Sequence, residues 1–235
     1  MMITQLKTKI TNSTYIYIDT LKEPINEEKR VYAINWFNTR SLWMYNLYNF
    51  LASSQVEKVG GRAFLKAKVG NILLGDKEDF REILLIVTYP TLTDFTKLVK
   101  MPLFIIVSLF RIFSVKDFTF GFTHKKDGLQ LNETTYIGDF YAIHHYRGES
   151  YIHERIQALC QEKKIKIYYL GKSVATLSTG DKETATEQTP SLLDGIVLFK
   201  ADEEAVLENF LSSEAYLNIT RKTQSSFIAL IDRIL

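Results

Sequence analysis

Histidine is the one side chain whose charge changes near neutral pH without help from its surroundings. The chain carries four, and two stand side by side in YAIHHYRGES, Tyr141–Ser150. As a strand, this stretch sends successive side chains to opposite faces. His144 then shares a face with Tyr146, and His145 looks the other way, toward helices. Facing a cavity, His144 would be a general acid or base; the competing reading is a packed, hydrogen-bonded imidazole. His153 is expected to be exposed on its own helix, and His124 to lie at the surface. Neighbouring strand residues cannot close on one metal ion, and neither a His-Glu-x-x-His run nor a carboxylate cluster occurs, so no metal is expected.

YAINWFNTRS, Tyr32–Ser41, has the same spacing 109 positions earlier. Asn35 and Phe37 share one face there, and Ile34 and Trp36 the other. Asn35 suits either a ligand or backbone groups near the strand end. Arg40 and Arg147 end the two strands, where their forked N–H donors would hold a carboxylate at a cavity mouth or simply face solvent. Phe37, Tyr45, Tyr48, Tyr89 and Tyr146 would line a flat cavity for an aromatic ligand, or fill a core. Cys160 is the only cysteine; it reads as a small buried hydrophobe and permits no intrachain disulfide.

Elements that could position these residues recur in one order. After the first motif, SLWMYNLYNFLASSQ repeats apolar residues at helical spacing, including Leu42, Tyr45 and Tyr48. Gly60-Gly61 turns the chain into one or two strands that end at Gly75-Asp76. EILLIVTYP is a buried strand, TLTDFTKLVKM a helix capped by Thr91 or Thr93, and Pro102 opens a further helix. KDFTFGFT, Lys116–Thr123, is the last strand. The order β-α-β-β-α-β is the ferredoxin-like plan. The second half repeats it, with Ile152, Ile156 and Leu159 on one helix face and SSFIALIDRIL closing the chain as a strand. The expected fold is therefore α+β: two tandem ferredoxin-like units packing sheet to sheet as an intrachain α/β-barrel. Residues 1–31 form an N-terminal extension with an extra strand at STYIYI, 32–123 the first unit, 124–139 a linker and 140–235 the second unit. KETATEQTPS, 182–191, reads as a polar loop.

Composition narrows the function. A net charge of +2 over 235 residues is too weak to argue for nucleic acid. The opening residues show no signal-peptide pattern, and a cytoplasmic location is expected. MPLFIIVSLFRIF, Met101–Phe113, is too short to span a bilayer and is broken by Arg111; it reads as a buried helix or as a surface, over 101–113, for homo-oligomer contact.

Residues 32–123 resemble the DUF1330-type family of the dimeric α/β-barrel superfamily. The resemblance rests on Asn35 and Phe37 in INWF, Tyr45 and Tyr48, the turn and paired strands of VGGRAFLKAKVGNILLGD, the Tyr-Pro, Phe, Met and Pro-aromatic positions of VTYPTLTDFTKLVKMPLF, and Arg111 and Asp117. The second half departs from it: His144 replaces the Asn, a single Gly171 replaces Gly-Gly, and LFKADEEA replaces Tyr-Pro. The resemblance implies two units enclosing a small-molecule cavity between their sheets, with Asn35 polarising a ligand carbonyl or hydroxyl. It suggests a cofactor-independent oxygenase, isomerase or cyclase acting on a hydrophobic or aromatic ligand. The alternative is a non-catalytic ligand-binding or protein-interaction module. No cofactor is expected. Haem is disfavoured, because Trp36 and Trp43 are not at equivalent positions and TLTDFTKLVKMPLFIIVSLF contains no His.

Overall fold

The computed structural model describes residues 16–21, 28–76, 79–126, 139–148, 151–179 and 194–234. The linker's centre, the loop at 182–191 and most of the N-terminal extension lie outside them. Nine strands are described: β1 (Ile16–Leu21), β2 (Val31–Thr39), β3 (Arg62–Leu74), β4 (Ile83–Tyr89), β5 (Val115–Lys125), β6 (Phe140–Arg147), β7 (Lys166–Thr179), β8 (Gly195–Ala201) and β9 (Ser225–Arg233). The helices are α1 (Leu42–Lys58), α2 (Leu92–Lys100), α3 (Pro102–Ser114), α4 (Tyr151–Lys163), α5 (Glu204–Leu211) and α6 (Glu214–Thr220).

The strands run β1-β7-β5-β2-β4-β3-β9-β6-β8, and β8 also pairs with β7. This last pairing closes eight antiparallel strands into a barrel, with β1 added outside the ring along β7. Closure depends on two long strands. β3 pairs with β4 over Arg62–Lys68 and with β9 over Ala67–Leu74. β7 pairs with β8 over Lys166–Lys172 and with β5 over Gly171–Leu177. Each therefore belongs half to its own sheet and half to the other, which leaves no open sheet edge within the ring. The first stretch, expected as one or two strands, is a single run of 13 residues, and the second, expected as more than one strand, is a single run of 14.

Local signals hold where chemistry is specific. Thr91 Oγ1 accepts from Asp94 N at 3.2 Å and caps α2, while Pro102, which has no N–H to leave unsatisfied, opens α3. Ile16–Ile18 of STYIYI lie in β1, and the closing stretch is β9.

The face assignment is the main correction. Tyr32, Ile34 and Trp36 point into the barrel, with Leu65, Leu84, Tyr169, Ile196 and Phe227. His145 joins them, its ring stacked on Trp36 at 4.5 Å and 9°. The expected cavity between the sheets is thus a packed core, in which each large ring contributes on the order of 2–3 kcal/mol. The opposite phase of β2 and β6, which holds Asn35, Phe37, His144 and Tyr146, faces the helices. Leu42, expected to pack against the sheet, is 61% exposed, whereas Ile152 is fully buried in the second half as expected.

Among the described residues, no helix is long and apolar enough to cross a membrane. The helix at 102–114 is not enclosed: Leu103, Ile105, Ile106, Leu109, Ile112 and Phe113 are exposed, as are Trp43 and Phe50 on α1.

Candidate functional site

Backbone pairing aligns one row of side chains across the first half of the barrel. Phe120 on β5 pairs with Asn35 on β2, Asn35 with Leu85 on β4, and Leu85 with Lys66 on β3. All four line a cavity of about 490 Å³ between the outer face of the sheet and α1, α2 and α3, a size suited to a small molecule. The cavity forms because α1 packs chiefly against α3 and buries only Tyr45, Ala52 and Gln55. Its other walls include Tyr48, Val56, Tyr89, Phe95, Phe104 and Arg111.

Asn35 Nδ2 donates to Ala33 O at 3.1 Å and to Leu85 O at 3.2 Å. These carbonyls commit both amide hydrogens, so the side chain offers a ligand its Oδ1, an acceptor. Of the two expected partners, a carbonyl or a hydroxyl, this geometry suits the hydroxyl. Lys66 enters from β3, half-buried, with Nζ 5.0 Å from the centre of the Tyr45 ring. Burial lowers its ammonium pKa below the ordinary lysine value. Arg111 comes from α3 and lies 4.6 Å from the Phe118 ring centre. Burial raises the Tyr48 and Tyr89 hydroxyls, and the Arg111 charge partly opposes that shift in both. The result is a largely apolar cavity whose walls also carry Lys66, Arg62 and Arg111, the Glu57 carboxylate, polar groups from Asn35, Asn49 and Ser53, and tyrosine hydroxyls kept in their neutral form.

Gly60 turns the chain at φ +74°. At Gly61 a Cβ would lie 2.8 Å from the Tyr89 ring, so glycine lets this wall of the cavity close.

The other expected site residues are placed elsewhere. Phe37 and Tyr45 pack on each other at 5.1 Å, beside the cavity. Arg40 and Arg147 are exposed and do not line the cavity. Tyr89 does line the cavity. His144 is fully buried in the second half, with Nδ1 2.7 Å from Tyr216 Oη and Nε2 3.0 Å from Ser226 Oγ. Burial, reinforced by the nearby His153, pushes its pKa down to about 3, so the ring is neutral. Tyr146 packs edge-on to His153 at 5.5 Å and against Gly195, where any Cβ would clash with its ring. His153, expected to be exposed, is buried, while Cys160 is buried as expected.

Lys66 and Arg111 were not expected as site residues. The signal for Lys66 is its phase: Leu65, Ala67 and Val69 alternate with Lys66 and Lys68, so the lysines share the helix-facing side.

No family model matches the sequence, and no curated protein matches it either. Solved structures share the fold. An anthrone oxidase-like protein is 11% identical, with coverage of 90% of this chain and 95% of that one at a TM-score of 0.51. A Fusobacterium nucleatum protein assigned as a monooxygenase is 9% identical, covering 89% and 94% at a TM-score of 0.49. A chlorite dismutase variant from Candidatus Nitrospira defluvii is 14% identical, covering 88% and 93% at a TM-score of 0.49. The likeness is one of fold, a closed antiparallel barrel covered by helices.

These neighbours correct the cofactor expectation. Chlorite dismutases are haem-binding proteins, so the view that haem is disfavoured does not stand. Of the residue types that ligate haem iron, the cavity walls contain Tyr48 and Tyr89, and no histidine or cysteine lines it. Among the described residues no cluster of three His, Cys, Asp or Glu forms a metal site.

Proposed function

We propose that the first-half cavity binds a hydrophobic, aromatic small molecule that carries an acidic hydroxyl or enol, and that Lys66 and Arg111 favour its ionised form. The observation carrying this reading is the row Phe120–Asn35–Leu85–Lys66, which sets one acceptor and one half-buried amine on a flat apolar wall. The O–H bond of the ligand breaks, its proton passes to solvent, and the oxyanion lies between the Lys66 ammonium and Arg111. Low polarity around the pair strengthens this attraction. Asn35 Oδ1 accepts from a second hydroxyl and orients the ring. An oxygenase, isomerase or cyclase step each begins from such an anion, and the anthrone oxidase-like neighbour is in keeping with that substrate class.

The test is a visible-absorption titration with a hydroxyanthraquinone, whose colour reports ionisation. The bound dye is expected to ionise at lower pH than the free dye, and Lys66→Met is expected to remove that shift while the protein stays folded. No binding, or an unchanged shift in both Lys66→Met and Arg111→Met, would sink the reading.

The architecture behind this reading is a tandem duplication of ferredoxin-like units, 32–123 and 140–235, joined by 124–139 and preceded by the extension 1–31. Its support is the common strand order, β5-β2-β4-β3 in one half and β9-β6-β8-β7 in the other. The DUF1330-type resemblance belongs to the first unit, and a cytoplasmic location to the same reading. One observation favours a role in protein interaction as well: the exposed apolar side of α3 with Trp43 and Phe50, which suits homo-oligomer contact. Native mass spectrometry should show an oligomer that Ile106→Asp dissociates; a monomeric wild type ends that part of the proposal.

A further inference from the structure

A second cavity, of about 700 Å³, opens at the end of the barrel where β2 begins and β9 ends. Lys29, Arg30, Arg62, His124, Lys125 and Arg233 surround it, and no described Asp or Glu lines it. Its floor is the aromatic end of the barrel core. Phe64 stacks on Tyr168 at 5.3 Å and 20°, and Tyr32 meets Phe64 edge-on at 5.5 Å and 83°. His124 Nδ1 lies 3.1 Å from the carbonyl oxygen of Arg30, which ties the end of β5 to the start of β2. The other ring nitrogen, Nε2, is buried with no hydrogen-bond partner.

We infer that this mouth is a binding site for a small phosphate ester carried on a planar ring. Arg30, Arg62 and Arg233 converge on this concavity, and an oxyanion placed among their guanidiniums offsets their mutual repulsion while accepting several charge-assisted hydrogen bonds. Three of the six basic groups are guanidiniums, whose paired N–H donors match two oxygens of a phosphate. The half-buried Phe64 offers the ring a stacking surface beneath the charges. The concavity lies within a barrel end, which suits a small molecule rather than a polymer. It is separate from the helix–sheet cavity, sharing only Arg62 and Ala63, and it stands whether or not that cavity is catalytic. It also lies at the barrel end opposite Arg40 and Arg147, the arginines that sequence pattern alone had favoured for an anion.

Calorimetric titration of the full chain with phenyl phosphate, inorganic phosphate and phenol, all at one salt concentration, tests the assignment. Phenyl phosphate is expected to bind saturably, with phosphate and phenol each at least about tenfold weaker. The exposed pair Arg30→Gln with Arg233→Gln should weaken phenyl phosphate about tenfold or more with the melting temperature retained. The distant pair Arg221→Gln with Lys222→Gln removes the same charge and should change nothing. Absence of saturable binding overturns the inference. So does equal affinity for inorganic phosphate alone, or an equal loss in both double variants.

Discussion

The two halves of the barrel carry the same row of positions and use it in opposite ways. In the first half the row reads Phe120, Asn35, Leu85, Lys66; in the second, Ile228, His144, Val197, Leu170. Lys66 of the open half corresponds to Leu170 of the closed one. Asn35, which turns an acceptor to a cavity, corresponds to His144, whose two nitrogens are both spent on Tyr216 and Ser226. The helices follow suit. Tyr216 of α6 reaches down to the sheet and meets Phe199 and Phe210, whereas α1 leans on α3 and leaves space beneath it. One topology thus yields a cavity or a core according to which side chains the helices bring to the sheet.

Exchanging the row breaks this comparison most forcefully. Leu170 is fully buried, so Leu170→Lys places an uncompensated ammonium in a close-packed core and is expected to cost at least about 4 kcal/mol. The reciprocal Lys66→Leu, at a half-buried site beside open space, should change stability by about 1 kcal/mol or less. Urea denaturation of both variants reads the difference. Equal costs would mean that the two halves are packed alike.

Acid sharpens the same contrast, because the buried histidines lie in the barrel and the closed half. Burial holds His144 and His145 down at about 3 and His153 at about 4, from an ordinary 6.5. The unfolded chain therefore binds more protons than the folded one below pH 6.5. Stability is complete above that value and falls as pH drops toward 4, by about 1.4 kcal/mol per pH unit for each histidine. Urea midpoints between pH 7 and pH 4 should fall steeply, and His153→Gln should flatten the slope by about one proton. A flat wild-type profile would place these rings in contact with water.

Much of this organisation is legible in the sequence, but not its polarity. Punctuation by Gly60-Gly61, Thr91, Pro102 and Gly75-Asp76 locates the elements, because each meets a specific backbone need. Alternation then sorts Asn35 from Trp36 and His144 from His145. It does not say which phase enters the barrel, since a closed sheet covered by helices buries both. β3 holds the missing information: lysines at 66 and 68 cannot enter a packed barrel, and the pairing Lys66–Leu85–Asn35 carries that phase to β2. His144 misleads for a related reason. A histidine on a strand looks the same in sequence whether it faces a substrate or a tyrosine from a helix 72 residues away.

The smallest expected effects separate position from role. Asn35→Ala leaves Ala33 O and Leu85 O with their sheet contacts and should cost about 1 kcal/mol, with ligand binding weakened beyond that. His144→Ala removes a buried ring together with both its hydrogen bonds and should cost about 3 kcal/mol, with dye binding in the first half unchanged. Melting curves and a dye titration on the same two variants therefore give opposite rankings. If His144→Ala instead abolished binding and left stability intact, the closed half would hold the working site, and the difference between the two rows would concern packing alone. The ranking expected here follows from contacts, because a residue with every polar atom already paired inside the protein has nothing left to offer a ligand.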